Sequence, residues 1–160
     1  MSQLNFICSH DAVIGYHNSN IAKEEKNDCV VKAFAVAFEI HYDVAHKKVS
    51  EIFGRQPQGG TPKFASTLDL FSKKRKQINQ RRVKTISDPF YKMMYWVNEG
   101  KPSTRLQNMT TVNFIKQYPV GTYIIEVKEH TFVIKNGTVI GNPEDAMQRK
   151  KVVYNAWQIL

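Results

Sequence analysis

The sequence has little of several features that define protein classes. Only two of its 160 residues are cysteines, Cys8 and Cys29, which excludes a disulfide scaffold and makes reduced thiols in the cytoplasm the expectation. No apolar run approaches ~18 residues, so we expect no transmembrane helix. The first residues contain no basic stretch followed by an apolar one, so we also expect no secretory signal.

The chain also lacks internal repeats, low-complexity segments and a linker that would divide it. Hydrophobic residues make up 42% of it and charged residues 23%, a composition typical of globular proteins. A chain of 160 residues can bury a core without the help of a disulfide or a metal. We therefore expect a single domain that covers residues 1–160.

Acidic residues are missing between Asp69 and Asp88, and basic residues are concentrated there. The formal net charge of the chain is +9, and only +2 remains without the seven basic residues of this stretch. These are Lys73, Lys74, Arg75, Lys76, Arg81, Arg82 and Lys84. Residues 73–84, here called the basic segment, are either a solvated face or a binding site for nucleic acid, an acidic protein or an anionic cell-wall polymer. No aromatic residue is interleaved in the segment, which argues against stacking on bases.

Helical patterns fill the first half of the chain, and strand patterns follow Pro119. Apolar or amphipathic stretches bounded by capping residues predict helices at 29–40, 43–53, 61–71, 88–96 and 112–118. The first of these is apolar around most of its circumference, which is typical of a buried central helix. β-Branched and aromatic residues predict strands at 121–128, 131–135, 138–140 and 152–159. Helices first and antiparallel strands second predict an α+β fold.

Cys29 is the first candidate for chemistry because it opens the predicted central helix. Asn27 and Asp28 can cap that helix, whose first turn has unpaired backbone N–H groups and the positive end of the helix dipole. Such positions stabilise a thiolate, which is the nucleophilic form of cysteine. Cysteine is also often a small buried apolar residue, so Cys29 alone does not establish a nucleophile.

His130 and Asn142 are the candidates for a base and for the group that orients it. Asn136-Gly137 predicts a hairpin between their strands. With a two-residue loop, His130 would lie opposite Pro143 and point away from Asn142. With a three-residue loop that ends in a left-handed glycine bulge, His130 would lie directly across from Asn142. The sequence allows both registers, and we predict the second, which completes a triad of Cys29, His130 and Asn142.

The order and placement of these three residues resemble those of the papain-like cysteine peptidases. The matching segments are Asn27-Asp28-Cys29-Val30-Val31-Lys32-Ala33 and Glu129-His130-Thr131-Phe132-Val133-Ile134, continuing through Asn136-Gly137 to Gly141-Asn142. The small size is similar to compact phage and bacterial members of that fold. The resemblance implies N-terminal helices packed on a C-terminal antiparallel sheet. It also implies a cysteine peptidase or related acyl-transfer hydrolase that acts on a protein or peptide without a cofactor, in the host cytoplasm or virion if the protein is phage-encoded.

The mechanism implied by the resemblance is acyl transfer. The Cys29 thiolate attacks a carbonyl, and His130 keeps the thiol ionised and then protonates the leaving amine. Asn142 fixes the orientation of the imidazole, and water hydrolyses the thioester.

One feature of the family is missing from this sequence. Papain-like enzymes usually have a glutamine a few residues before the cysteine, and it donates a hydrogen bond to the oxyanion. No glutamine occurs between Gln3 and Cys29. We predict Asn27 as the substitute, with Asn18, Asn20 and the Cys29 N–H as further candidate donors. Because this glutamine is missing, a non-catalytic protein with the same fold also stays an alternative.

Other functions also stay open at the level of sequence. Cell-wall amidases and peptidases of the NlpC or CHAP type share the Asp-Cys pair at a helix start, although they usually have a small residue where Val30 stands. A non-catalytic binding protein of phage type would act on nucleic acid or a host factor through the basic segment. No metal site is predicted, because the spacing of Cys8, His10, His17 and Cys29 matches no usual pair of zinc-ligand motifs.

Overall fold

The structure, a computed structural model, describes residues 4–61, 94–96, 109–147, 151–153 and 155–159. Its helices are α1 (Ser9–Ala12), α2 (Asn20–Glu24), α3 (Cys29–Phe38), α4 (Tyr42–Phe53), α5 (Thr111–Gln117) and a short 3₁₀ helix at Pro143–Met147. Its strands are β1 (Phe6–Cys8), β2 (Met94–Trp96), β3 (Thr122–Val127), β4 (His130–Lys135), β5 (Thr138–Gly141) and β6 (Asn155–Ile159). The α+β class predicted from the sequence is confirmed.

The described strands form one mixed sheet in the order β1-β5-β4-β3-β6-β2. β1, which the sequence patterns did not predict, pairs in parallel with β5, and the other neighbours are antiparallel. Side chains alternate between the two faces along each strand. Ile124 and Val133 therefore join the core under α3 and α4, whereas Ile125 and Ile134 join a second core that includes Phe114 of α5.

The helix α3 is the buried central helix that the apolar pattern predicts. All residues from Val30 to Ala37 are buried, and the helix packs on the sheet through the core that also contains Val133 and Trp157. It ends at Phe38, two residues before the predicted end, because Glu39 adopts a left-handed conformation with a φ of 54°. Cys29, at the first turn of α3, is therefore anchored to the most deeply buried helix described.

The helix α4 begins one residue earlier than predicted and ends at the predicted residue. Its cap is His41, whose ring accepts a hydrogen bond from the Asp43 N–H at 3.1 Å. Gly54 ends the helix with a φ of 68°, as expected for a glycine after the last turn. The helix α5 likewise starts at Thr111, after Thr110 as its cap.

Two other predictions about helices have different outcomes. The helix predicted at 88–96 is wrong at its end, because Met94–Trp96 is a strand that pairs with β6 at the sheet edge. Pairing with a neighbouring strand satisfies the backbone groups that a helix would pair internally. The helix predicted at 61–71 lies outside the described residues except for its first residue, and so does the basic segment.

The hairpin between β4 and β5 has a two-residue loop, so the predicted three-residue loop with a bulge is wrong. Lys135 pairs directly with Thr138. Asn136 and Gly137 have φ angles of 47° and 77°, which are the two left-handed positions of a type I′ turn. Asn136 is held there by Gly121, whose carbonyl accepts from the Asn136 N–H at 2.8 Å and whose N–H donates to the Asn136 side chain at 2.9 Å.

Candidate active site

Cys29 is a half-buried free thiol at the start of α3. Asp28 holds the capping position, but its side chain makes no capping hydrogen bond. The Asp28 carboxylate instead accepts from the Tyr42 hydroxyl at 2.8 Å and lies 3.5 Å from the Lys32 ammonium. Asp28 is therefore the capping residue by position, as predicted, but its side chain does not cap the helix because these partners engage the carboxylate. The amides of the first turn receive no cap from the Asp28 side chain.

His130, the first residue of β4, contacts both Cys29 and Asp145. Its Nε2 lies 2.7 Å from Asp145 Oδ2, and the Cys29 thiol lies close enough to the ring to help raise the pKa of His130. Because the carboxylate engages Nε2, Nδ1 is the ring nitrogen left for the thiol. The His130 side chain is 16% exposed and that of Asp145 only 1%, so the carboxylate is shielded from water while the ring reaches the surface.

The surroundings of His130 favour its protonated form. Burial by itself lowers the pKa of His130, but the hydrogen bonds to Asp145 and Cys29, together with their negative charges, raise the pKa to about 9. The ring is therefore an imidazolium at neutral pH and holds a proton that it can donate. An imidazolium beside a thiolate is the reactive arrangement of a Cys–His pair.

Asp145 reaches His130 because the chain turns back directly after β5. The Asp145 N–H donates to the Asn142 carbonyl at 2.8 Å, and the Asn142 N–H donates to Asp145 Oδ2 at 2.7 Å. Gly141 leaves the space that the carboxylate occupies, since a Cβ at that position would collide with Asp145 Oδ2. The turn, the absent side chain and the two hydrogen bonds together fix the carboxylate against the imidazole.

Asp145 makes the contact with His130 that the sequence analysis assigned to Asn142. The observed register, in which Val133 pairs with Ile140, does not place Asn142 directly across from His130, and the Asn142 side chain accepts a hydrogen bond from Lys32 instead. Asp145 lies in the turn beyond the hairpin and not across it, so the pairing of the two strands does not predict its contact with His130. The available signal was a proline followed by two acidic residues, a pattern typical of the first turn of a helix.

A second polar network lies beside Cys29 and centres on Lys32 of α3. Lys32 is only 5% exposed, and its Nζ lies 2.6 Å from Asn142 Oδ1 and 3.1 Å from His10 Nε2. An ammonium only donates, so His10 accepts with a neutral ring. Burial lowers the pKa of His10, and the charge of Lys32 lowers it further. The signal in the sequence that could have identified Lys32 is that it is the lone charged residue inside an otherwise apolar helix.

Asn27, the predicted oxyanion donor, lines the same cleft, but its side-chain amide is engaged elsewhere. Its Nδ2 donates to the Gln58 carbonyl at 3.1 Å. The loop that contains Asn27 is tied to the end of α4 by an ion pair between Glu25 and Arg55, whose side chains are 4% and 0% exposed. Arg55 also donates to the Lys26 carbonyl at 3.2 Å. Asn27 therefore belongs to the contacts that hold the loop before Cys29.

The site opens to a cleft of about 770 Å³. Among the described residues, its lining includes Asn27, Cys29, Glu126, Glu129, His130 and Asn142. Such a volume is within the range of ligand-binding clefts. Two glutamates at the cleft place acidic side chains beside the site in a chain whose net charge is positive.

Three further expectations from the sequence concern metal binding, membrane spans and the basic segment. No group of three or more His, Cys, Asp or Glu side chains among them is arranged to hold a metal ion. No helix in the described ranges is long and apolar enough to cross a membrane. The anion-binding residues predicted in the basic segment lie outside these ranges, so their role stays a prediction.

Comparison with known proteins found no relative of this chain. It matches no protein-family model, no curated protein and no solved structure. The assignment of the site therefore rests on the contacts among Cys29, His130 and Asp145 and on the chemistry that these side chains allow.

Proposed function

We propose that this protein is a cysteine hydrolase of the acyl-transfer type. Cys29 is the nucleophile, His130 the acid and base, and Asp145 the group that orients His130. The observation that carries the proposal is that the His130 ring contacts both the Cys29 thiol and the Asp145 carboxylate at an open cleft. A nucleophile, a base and an orienting group in contact are the arrangement that covalent catalysis requires.

The reaction proceeds in two halves. The Cys29 thiolate attacks the substrate carbonyl, a C–S bond forms, and the carbonyl oxygen takes the negative charge. The His130 imidazolium donates its proton to the leaving amine as the C–N bond breaks, which leaves an acyl thioester. Neutral His130 then accepts a proton from water, whose oxygen attacks the thioester, and the thiolate leaves as a carboxylic acid product forms.

The carboxylate of Asp145 suits this scheme because it is charged. An asparagine in the third position orients the imidazole, whereas a carboxylate also stabilises the imidazolium. The raised pKa of His130, about 9, is consistent with a proton that is retained until the leaving group departs. The papain-like architecture is part of the proposal, and a central helix that begins at Cys29 and packs on the sheet containing His130 supports it.

A peptidase assay tests the proposal directly. Purified protein is incubated with a mixture of denatured proteins, and new peptide termini are identified by mass spectrometry. We expect cleavage that disappears in Cys29→Ala and persists in Cys8→Ala, which removes the other free thiol. Equal cleavage by Cys29→Ala would refute the proposal. A peptidase is the form of hydrolase that we favour. If no new peptide termini are detected while a generic ester is still hydrolysed through Cys29, peptides are excluded as the substrate.

Binding to a polyanion through the basic segment is a second candidate function, favoured by the concentration of seven cations without an acid. For duplex nucleic acid, each phosphate contact adds about −0.9 to the slope of log affinity against log salt. Replacing Lys73, Lys74, Arg75 and Lys76 with glutamine is expected to flatten that slope while hydrolysis through Cys29 persists. An affinity for the polyanion that changes neither with salt concentration nor with these substitutions would show that the segment is only a solvated face.

A further inference from the structure

We infer that Asn142 donates the hydrogen bond that stabilises the oxyanion formed when Cys29 attacks, and that Lys32 is the residue that positions it. The inference rests on the proposed role of Cys29 as the nucleophile. It replaces the role predicted for Asn142, the orientation of His130, which Asp145 takes over in the structure. It also supplies an oxyanion donor in a chain that has no glutamine between Gln3 and Cys29 to fill that role.

Lys32 fixes which way the Asn142 amide faces. The Lys32 ammonium can only donate, so the Asn142 atom 2.6 Å from it is the carbonyl oxygen Oδ1. The NH₂ branch of the amide, Nδ2, therefore points away from Lys32. Lys32 is 5% exposed and also contacts His10 and Asp28, so its own position is fixed by burial and by polar partners.

The same arrangement brings Asn142 to the first turn of α3. Cys29 and Lys32 are three residues apart on this helix and thus share one face of it. Asn142 is bonded to Lys32 and lines the cleft together with Cys29 and His130. In the proposal, its side-chain NH₂ faces the part of the cleft where the thiol attacks.

The backbone of Asn142 is fixed by the group that also orients His130. Asp145 Oδ2 accepts from the Asn142 N–H at 2.7 Å and from His130 at 2.7 Å. One carboxylate oxygen therefore sets the relative positions of the proton donor and of the amide. Donors that are fixed before the reaction stabilise a developing charge without reorganisation, which is the basis of oxyanion stabilisation.

In the proposed step, the Cys29 thiolate forms a bond to the carbonyl carbon, and the carbonyl π electrons move to the oxygen. Asn142 Nδ2 and the Cys29 backbone N–H donate to that oxygen. Its electron pair then re-forms the C=O bond as the bond from the carbon to the leaving group breaks and the leaving group takes the electrons of that bond. Asn27 is the competing donor in the cleft. Its Nδ2 already donates to the Gln58 carbonyl, which makes Asn142 the better candidate.

The test compares two reactions of the same thiol. p-Nitrophenyl acetate acylates Cys29 through an oxyanion and releases p-nitrophenolate, whereas iodoacetamide alkylates it by displacement of iodide without one. In Asn142→Asp, the side chain keeps an acceptor for Lys32 and loses the NH₂ group. We expect acylation to fall about 100-fold, at the lower end of the loss seen when one oxyanion donor is removed, and alkylation to fall far less. Asn142→Ala, which adds no charge, is also expected to lower the ratio of the acylation rate to the alkylation rate.

The positioning role of Lys32 has its own variants. Lys32→Met is expected to lower the ratio of acylation to alkylation, and Lys32→Gln, which keeps an N–H donor for Asn142 Oδ1, to restore part of it. Wild-type acylation rates in both Asn142 variants would overturn the inference and leave the proposed function intact. A loss in Asn27→Asp but not in Asn142→Asp would assign the donor to Asn27 and also overturn it. If wild-type Cys29 reacts with neither reagent faster than Cys8, the proposed function and the inference both fail.

Discussion

Asp145 is the residue that contributes most to raising the pKa of His130. The carboxylate is almost fully buried, and it receives hydrogen bonds from the imidazole and from the Asn142 backbone. A buried carboxylate of this kind requires a positive partner, and the imidazolium supplies it. The pKa of His130 therefore reports directly on the contact that defines the proposed triad.

Asp145→Asn is expected to lower the pKa of His130, because an amide keeps the size of the side chain and removes the negative charge. The midpoint of the His130 titration, followed by NMR of the ring nitrogens, is expected to fall by about 1–3 pH units from its value near 9. The other histidines in the same spectra serve as controls and keep their midpoints. An unchanged midpoint for His130 would show that Asp145 does not pair with it in solution.

Gly141 tests the geometry of the same contact through sterics alone. In Gly141→Ala the added Cβ collides with Asp145 Oδ2 and also approaches Phe132 Cβ at 3.0 Å, so the carboxylate has to move. We expect a loss of about 1–3 kcal/mol in the free energy of unfolding, as for other overpacked sites, and a lower pKa of His130. Gly60→Ala is the matched control, since a Cβ there meets nothing within 4 Å. Equal effects of the two substitutions on stability and on His130 would contradict this account.

The elements of this fold differ in how well their sequences predict them. The helices α3 and α4 follow from continuous apolar or amphipathic patterns, and their ends were predicted to within two residues. β1 could not be predicted, because three residues are too short to show a period and their pairing with β5 is set by tertiary contacts. The strand at Met94–Trp96 was predicted as helix for the same reason, since its structure depends on the neighbouring β6.

The hairpin register decided how much of the site could be predicted. Asn136-Gly137 is compatible with two loop lengths, and the contact of Asn136 with Gly121 that accompanies the shorter one joins residues 15 apart in the chain. Cys29 and His130 were identified from local patterns. Asp145 and Lys32 were missed, because their contacts depend on the turn after β5 and on the packing of α3 against Asn142.

The connection between the loop before α3 and the end of α4 depends on the buried ion pair of Glu25 and Arg55. Glu25 also accepts from the Gln58 N–H at 3.1 Å, so the pair joins two loops at the cleft. Arg55→Met is expected to cost about 3–5 kcal/mol in the free energy of unfolding, because it removes the guanidinium from a buried carboxylate and leaves only His46, at 3.1 Å, as an ionisable partner. Lys135→Met is the matched control, since its ion pair with Glu39 is exposed to solvent and contributes little. Comparable losses in both variants, measured by urea unfolding, would contradict the structure.

At the scale of the whole molecule, the raised pKa of His130 makes stability depend on pH. Folding raises the pKa of this group from 6.5 to about 9, so the folded state binds its proton more tightly than the unfolded state. The resulting stabilisation is fully present below pH 6.5 and is lost as the pH rises through about 9. Urea unfolding of the wild type and of His130→Gln is expected to show a stability difference that shrinks over this window. A difference that is constant or grows with pH would show that His130 is not protonated in the folded protein.

The central claim is that Cys29 is made nucleophilic by His130, and competitive alkylation tests it most directly. Cys8 and Cys29 are both free thiols of intermediate burial, and the comparison with His130→Gln separates chemistry from access. With limiting iodoacetamide at neutral pH and peptide mass spectrometry, we expect Cys29 to be modified at least about tenfold faster than Cys8, because the thiolate is the reacting form. The advantage is expected to disappear in His130→Gln. Equal rates for the two cysteines in the wild type, or an advantage of Cys29 that survives His130→Gln, would contradict the account.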